Sequence, residues 1–212
     1  MSAASASTAL GTVVDARAGQ AARREHILDA AEACFVRNGF HRTTMQDLAR
    51  EAAMSPGNFY RYFESKEALI LGWAERERGR GALLVESLER QGDRRAAFLG
   101  VITQYFTAIT REAAVLRLDI WSEATRNPAI AAMTERTEAE AKAWIVDTIA
   151  ALSTDPACDP AAVYAVLDPL MKGLVVGRAL VADFDTPAAV ATLRAAIEAG
   201  LAGHLPTVEP TR

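Results

Sequence analysis

The chain is expected to be all-α. Apolar residues recur at three- and four-residue spacings along almost its whole length, and the strict alternation of a strand is absent. Alanine is abundant and β-branched runs are scarce, which favours helix. Between the periodic stretches sit Gly, Pro, Asn, Asp, Ser and Thr, the residues that start and stop helices. Of 212 residues, 50% are hydrophobic and 24% charged, enough to bury a core in one large domain or two small ones.

The first twenty residues, rich in Ala and Ser, lack both a basic start and a long apolar stretch, so we read 1–20 as a disordered arm rather than a secretory signal. Helical spacing begins near Arg23, where Ile27, Leu28, Ala31, Cys34 and Phe35 fall on one face, and Asn38-Gly39 supplies a stop. A second, short helix follows. Thr43 with Gln46, or Thr44 with Asp47, makes a capping box, and Met45, Leu48, Ala49 and Ala52 form its apolar face. Ser55 caps a third helix with Pro56 in its first turn, and Ser65 caps a fourth running through Leu69, Ile70 and Trp73. Four capped helices in about sixty residues, two of them short and joined by about three residues, describe a helix-turn-helix within a small helical domain.

Beyond residue 80 the helices lengthen, to about 93–112, 114–126, 129–153, 159–182 and 187–203, with Thr186 capping the last and Pro169 placed to kink the one before it. The expected organisation is therefore an arm at 1–20, a helix-turn-helix domain at 21–80, a larger helical domain at 81–205 and a frayed tail at 206–212. The two cysteines lie far apart and suggest neither a disulfide framework nor a CxxC site. No apolar run approaches a membrane span, since the best candidate is interrupted by Arg178. A cytoplasmic location is expected.

The formal charge of −4 hides an uneven distribution. Residues 1–80 carry eleven Lys/Arg against ten Asp/Glu, whereas 81–212 carry twelve against seventeen. The overall acidity therefore says little about what the N-terminal part binds. Residues 54–69, MSPGNFYRYFESKEAL, divide by face. Phe59 and Phe63, four apart, stack inwards as core. Asn58, Arg61 and Tyr62 occupy the other side, Tyr60 can turn its hydroxyl outward, and Gly57 leaves the first turn bare for a phosphate. Arg61 offers a bidentate fork to guanine, Asn58 pairs with adenine or phosphate, and Lys66 supplies a charge to a flanking phosphate. Arg17, Arg23 and Arg24 track phosphate, enter a minor groove, or carry ordinary tail charges.

Nucleotide-binding glycine loops, HExxH and Cys/His metal clusters are all missing, and the three histidines are dispersed. No enzyme activity, cofactor or metal is expected.

The stretch TTMQDLAREAAMSPGNFYRYFESKEAL, with ILDAAEACFVRNGF before it, resembles the TetR family of bacterial transcriptional regulators over roughly residues 24–70. The family's pattern falls on Thr43, Thr44, Ser55, Gly57, Tyr60, Phe63 and Lys66, and WSEATRNP at 121–128 is similar to a segment found in many of these regulators. One departure is Ala53, where the family usually has glycine. If that position needs φ > 0, alanine costs on the order of 1 kcal/mol.

The resemblance implies a homodimeric, ligand-responsive repressor on a pseudo-palindromic double-stranded operator, contacting DNA through Thr43, Thr44, Ser55, Pro56, Gly57, Asn58, Tyr60, Arg61, Tyr62 and Lys66. It implies a small lipophilic inducer in the C-terminal core, with Phe98, Ile102, Tyr105, Phe106, Ile120, Trp121, Met133, Trp144, Tyr164 and Met171 as pocket candidates. The last two long helices would pair across the two-fold axis, for which Gly173, Gly177, Leu193 and Ile197 are interface candidates. The alternative from another class is a helical ligand-binding or interaction protein with a degenerate DNA-binding head.

Overall fold

A computed structural model describes residues 3–90 and 92–205, with side chains at 18–83, 85, 86, 90 and 92–205. Among the described residues there are nine helices and no strand: α1 (Ala3–Asn38), α2 (Met45–Glu51), α3 (Pro56–Tyr60), α4 (Lys66–Glu89), α5 (Arg94–Ala108), α6 (Arg111–Ala124), α7 (Pro128–Leu152), α8 (Pro160–Leu180) and α9 (Thr186–Leu201). The polypeptide forms two compact units, Met1–Trp73 and Ala74–Arg212, dividing inside α4 and earlier than the expected boundary at residue 80. The tail at 206–212 lies outside the described residues, as does the side chain of Arg17.

α1 takes in most of the segment expected as a disordered arm. Its first half is rich in alanine, lacks proline, and offers little to interrupt helix once the second half is anchored. The anchor is the face predicted from spacing. Ile27, Leu28, Ala31, Cys34 and Phe35 are all buried, and Phe40, Leu48, Ala49, Phe59, Phe63, Leu69, Ile70 and Trp73 complete the interior of the first unit. Glu32 accepts a hydrogen bond from Trp73 Nε1 at 3.0 Å, tying α1 to α4. Gly72 permits the close approach of Phe63, because a Cβ there would stand 2.8 Å from the ring.

In the second unit α8 packs against α6, α7 and α9, and α5 against α9. Phe98, Leu99, Ile102, Phe106, Ile145, Ile149, Leu167 and Leu193 belong to one buried cluster. The helix starts follow the polar punctuation. Asp93, Thr110, Asn127, Asp159 and Asp185 each accept bonds from first-turn N–H groups, with Pro128, Pro160 and Pro187 just inside three of these helices. For α9 the cap is Asp185, not the expected Thr186. The carboxylate reaches Ala188 N at 3.0 Å, and an ionised acceptor complements the positive end of the helix better than a hydroxyl. α8 runs on through Pro169, which stands exposed.

α8 is long and apolar enough to cross a membrane, which no segment was expected to be, and 22% of its most apolar window is buried. Leu170, Val176, Leu180 and Val181 are 37–68% exposed along or just after it.

Candidate nucleic-acid interface

α2 is set by its N-cap. Thr44 Oγ1 accepts from Asp47 N at 3.2 Å, and Asp47 Oδ2 accepts from Thr44 N at 3.1 Å, so the Thr44/Asp47 alternative is the capping box that forms. The hydrogen bond from the Thr44 hydroxyl holds the Asp47 carboxyl below the usual carboxylate range. Thr43 has a different role. It is 1% exposed, and its hydroxyl donates to Gly39 O at 2.8 Å, closing the turn after α1. This corrects its expected place at the DNA surface, because a buried hydroxyl whose one proton is given to a backbone carbonyl has none left to offer a phosphate.

The turn between α2 and α3 is a paired C-cap. Met54 N donates to Ala49 O at 2.8 Å and Ala53 N to Arg50 O at 3.1 Å, which places Ala53 at the left-handed position with φ 51°. α9 ends on the same two-bond pattern, from His204 N to Ala199 O and from Gly203 N to Gly200 O, with glycine at φ 70°. The chain thus uses glycine where it can and tolerates alanine in the helix-turn-helix. His26 Nε2 donates to Ala52 O at 3.0 Å, and the Arg37–Glu51 ion pair, 2.6 Å, ties the ends of α1 and α2. Ala53→Gly is expected to stabilise the first unit by about 0.5–1 kcal/mol, the left-handed cost of alanine less the added freedom of the unfolded chain. A rise in urea midpoint with unchanged slope measures it.

Ser55 caps α3, accepting from Asn58 N at 3.4 Å, and Pro56 opens the helix. α3 is only five residues long, shorter than the sequence pattern suggests. Arg61 is already its C-cap, and the backbone leaves by a turn in which Tyr62 N and Phe63 N both donate to Phe59 O. The division by face is nevertheless as expected. Phe59 and Phe63 are buried to 1% and 2%, while Ser55, Pro56, Gly57, Asn58, Tyr60 and Arg61 face solvent and Tyr62 is half-buried.

Lys66 departs from expectation. Its ammonium donates to Phe40 O at 2.8 Å and lies 4.4 Å from the centre of the Phe40 ring, so its first contacts are with the turn after α1. Arg50 and Arg37 are neutralised by Asp47 and Glu51, whereas Arg61 has no ion-pair partner among the described residues.

Gly57 has no left-handed φ and nothing within 4 Å of where a Cβ would stand, so the fold does not require glycine there. Gly57→Ala is expected to leave folding intact or strengthen it by up to about 1 kcal/mol, since alanine is the better helix former. A fall in operator affinity without loss of stability, read by a duplex titration beside a thermal melt, marks the site as a place of close approach.

The candidate pocket residues all lie in the second unit. Phe98, Ile102, Phe106, Ile120 and Met133 are buried, while Tyr105, Trp121, Trp144, Tyr164 and Met171 are half-buried against the main cluster. Arg117 donates to the Tyr105 hydroxyl. Burial, with Asp168 beside it, pushes the Tyr164 hydroxyl up to about 12. Asp168 also pairs with Lys172 at 3.0 Å.

The interface candidates on α8 and α9 need correction. Leu193 and Ile197 are each 1% exposed inside their own core, and a Cβ on Gly177 would meet the Phe184 ring at 2.3 Å, so all three serve packing within the chain. Gly173 alone of the four faces open space. The exposed residues that the periodicity argument passed over are Leu170, Val176, Leu180 and Val181.

Residues 27–72, the whole span from the buried face of α1 to the end of the first unit, match the family model described as bacterial regulatory proteins, tetR family. Residues 94–202 match a second, BetI-type transcriptional repressor, C-terminal, which covers half of the chain by itself. The chain belongs to the TetR family. UidR of Escherichia coli strain K12 is 35% identical over 117 residues, which are 52% of this chain and 56% of UidR, so the chain spans about half the length of that curated relative. Salmonella enterica GusR superposes with a TM-score of 0.61 at 25% identity, over 85% of this chain and 95% of GusR. FadR from Bacillus subtilis, solved with stearoyl-CoA, has a TM-score of 0.70 over 84% of this chain and 98% of FadR. At 16% identity that likeness concerns the fold alone. Within the TetR family the C-terminal match is the finer assignment, and the general helical spacing of that half carried no comparable signal.

Proposed function

We propose that this TetR-family chain is a homodimeric repressor that reads a pseudo-palindromic operator with α3 and leaves it on binding a small inducer in its second unit. The observation that carries the reading is the solvent face of α3. The Arg61 guanidinium, without an ion-pair partner among the described residues, the Asn58 amide, the Tyr60 hydroxyl and the bare Gly57 are exposed, with two buried rings behind them. An arginine fork suits guanine in a major groove, and tyrosine and serine hydroxyls suit phosphate. Thr44 and Ser55 are exposed at helix starts, Pro56 is exposed and Tyr62 is half-buried. Lys66 joins the solvent face of α3 only through the donors that Phe40 leaves unused.

Dimerisation is supported by the strip on α8. Covering Leu180, Val176, Leu170 and Val181 with the same strip of a second copy removes apolar surface worth about 25 cal/mol per Å² from water. A two-fold pair then presents two α3 helices to half-sites one helical turn, or a multiple, apart.

For the inducer, the half-buried aromatics supply apolar contact, and the hydroxyl oxygens of Thr103, Thr134 and Thr137 are buried without a hydrogen-bond partner among the described residues. Each costs about 1–3 kcal/mol until something satisfies it. A mainly lipophilic molecule carrying a few polar groups meets both needs. A DNA-bound regulator of this kind acts in the cytoplasm. No feature of α2 and α3 favours the degenerate-head alternative, since cap, turn and rear packing are formed in spite of Ala53.

The test is a titration of the chain's own upstream DNA. We expect sequence-selective binding that weakens steeply with salt, and release by a lipophilic ligand found in a thermal-shift screen. A dimer that binds no duplex selectively overturns the proposal.

A further inference from the structure

The turn between α2 and α3 depends on one peptide plane. The Ala52 carbonyl and the Ala53 N–H belong to the same flat unit, point in opposite directions and rotate together. Both ends of that unit are held. Ala53 N donates to Arg50 O at 3.1 Å, and Ala52 O accepts from His26 Nε2 at 3.0 Å. Ala52 is 1% exposed at the end of α2, where a helix leaves carbonyls without partners of its own, and the imidazole reaches it from α1. One residue on, Ala53 has φ 51°, in the left-handed region that an L side chain enters at a cost. Relief requires φ to become negative, and for that the 52–53 plane has to swing about its flanking bonds. The same swing carries the Ala52 oxygen away from His26. The hydrogen bond therefore opposes the rotation that alanine favours. α9 ends on a matching turn with Gly203 at this place, and glycine enters the left-handed region freely.

We propose that His26 is a positioning residue for operator reading: by fixing the Ala52 carbonyl it holds Ala53 left-handed and so sets the direction in which α3 leaves α2. Only Ala53 and Met54 separate the C-cap of α2 from Ser55, the cap of α3, so a rotation at 52–53 re-aims the whole reading face. The assignment rests on the DNA-binding reading above and gives His26 no contact with the duplex. Base contacts depend on the direction of α3, whereas the general attraction between basic groups and phosphates does not. Loss of the bond should therefore cost selectivity before it costs attraction.

The experiment is a double-mutant cycle on the full chain with His26→Ala and Ala53→Gly, titrated on the operator and on a random duplex well below the melting temperature of every variant. Helical circular dichroism should not change, because His26 is exposed and alanine suits a helix. His26→Ala is expected to weaken operator binding about fivefold to thirtyfold, one lost hydrogen bond in each subunit of a dimer, and random-duplex binding by less than about twofold. His26→Gln keeps a donor at the Nε2 position and should recover most of the loss. With glycine at position 53, the same His26→Ala change should cost less than about threefold, because the turn no longer needs to be held. A readout without DNA is the amide exchange of Met54, whose N–H donates to Ala49 O across the same turn. It should quicken in His26→Ala and return towards the parent rate in His26→Gln. Unchanged operator affinity in His26→Ala overturns the assignment. So does an equal loss with alanine or glycine at position 53, since a direct DNA contact would behave in that way. An unchanged Met54 exchange rate in His26→Ala overturns it as well. Failure of the unmutated chain to bind any duplex, with the exchange result intact, instead overturns the DNA reading on which it rests.

Discussion

Replacing Arg61 with alanine is expected to weaken operator binding by about thirtyfold to ten-thousandfold while leaving the chain folded and dimeric. One bidentate arginine–base pair contributes about 1–3 kcal/mol of discrimination, and a two-fold dimer makes the contact twice. The stability change should stay within about ±0.5 kcal/mol, because Arg61 is an exposed C-cap with no ion-pair partner among the described residues. Titrations on operator and random duplexes separate the roles. A loss confined to the operator marks a base contact, and an equal loss on both marks a phosphate contact. No loss on either would remove α3 from the interface.

Leu180→Asp is the second large effect. Leu180 is 68% exposed in the protomer, so the change should not disturb folding. In the proposed dimer each copy loses about 1.5–3 kcal/mol of apolar burial and places a carboxylate against an apolar surface. The dimer dissociation constant is expected to rise at least about a hundredfold, as the two losses together exceed about 3 kcal/mol. Sedimentation equilibrium reads it directly. Operator affinity should fall in parallel, since a lone protomer engages one half-site. A variant with the parent's dissociation constant would exclude the α8 strip as the interface and leave its exposure unexplained.

Much of the DNA-facing head was legible because its signals are local. A capping box needs only Thr44 and Asp47 three residues apart, and Phe59 and Phe63 share a face because helical geometry puts residues four apart together. Ala53 shows how far local reasoning extends. The left-handed position followed from the motif, and φ 51° with its paired hydrogen bonds gives the cost a geometric basis. Where two local readings competed, long-range contacts decided. Thr43 looked like Thr44 from its neighbours alone, but the return of Phe40 and the turn at Gly39 placed it indoors. Lys66 likewise had an open neighbourhood in sequence and found a carbonyl 26 residues away.

The second unit was legible as helices and not as surfaces. Leu193 and Ile197 lie on one clear apolar stripe, but a stripe does not say whether its partner is the same chain or another. Here α5 and α8 of the same chain cover α9. Gly177 admitted a neighbouring helix on spacing grounds, yet the neighbour is the ring of Phe184, seven residues on.

By itself, the sequence determined the all-α class, the approximate positions of the helices from α2 onwards, the Ser55 cap and the two-faced α3, because each depends on residues within a few positions of one another. Only the tertiary structure decided which polar groups were already spoken for, which apolar residues were left uncovered, and that His26 reaches the Ala52 carbonyl. Those outcomes depend on contacts between residues dozens of positions apart, and periodicity along the chain carries no information about them.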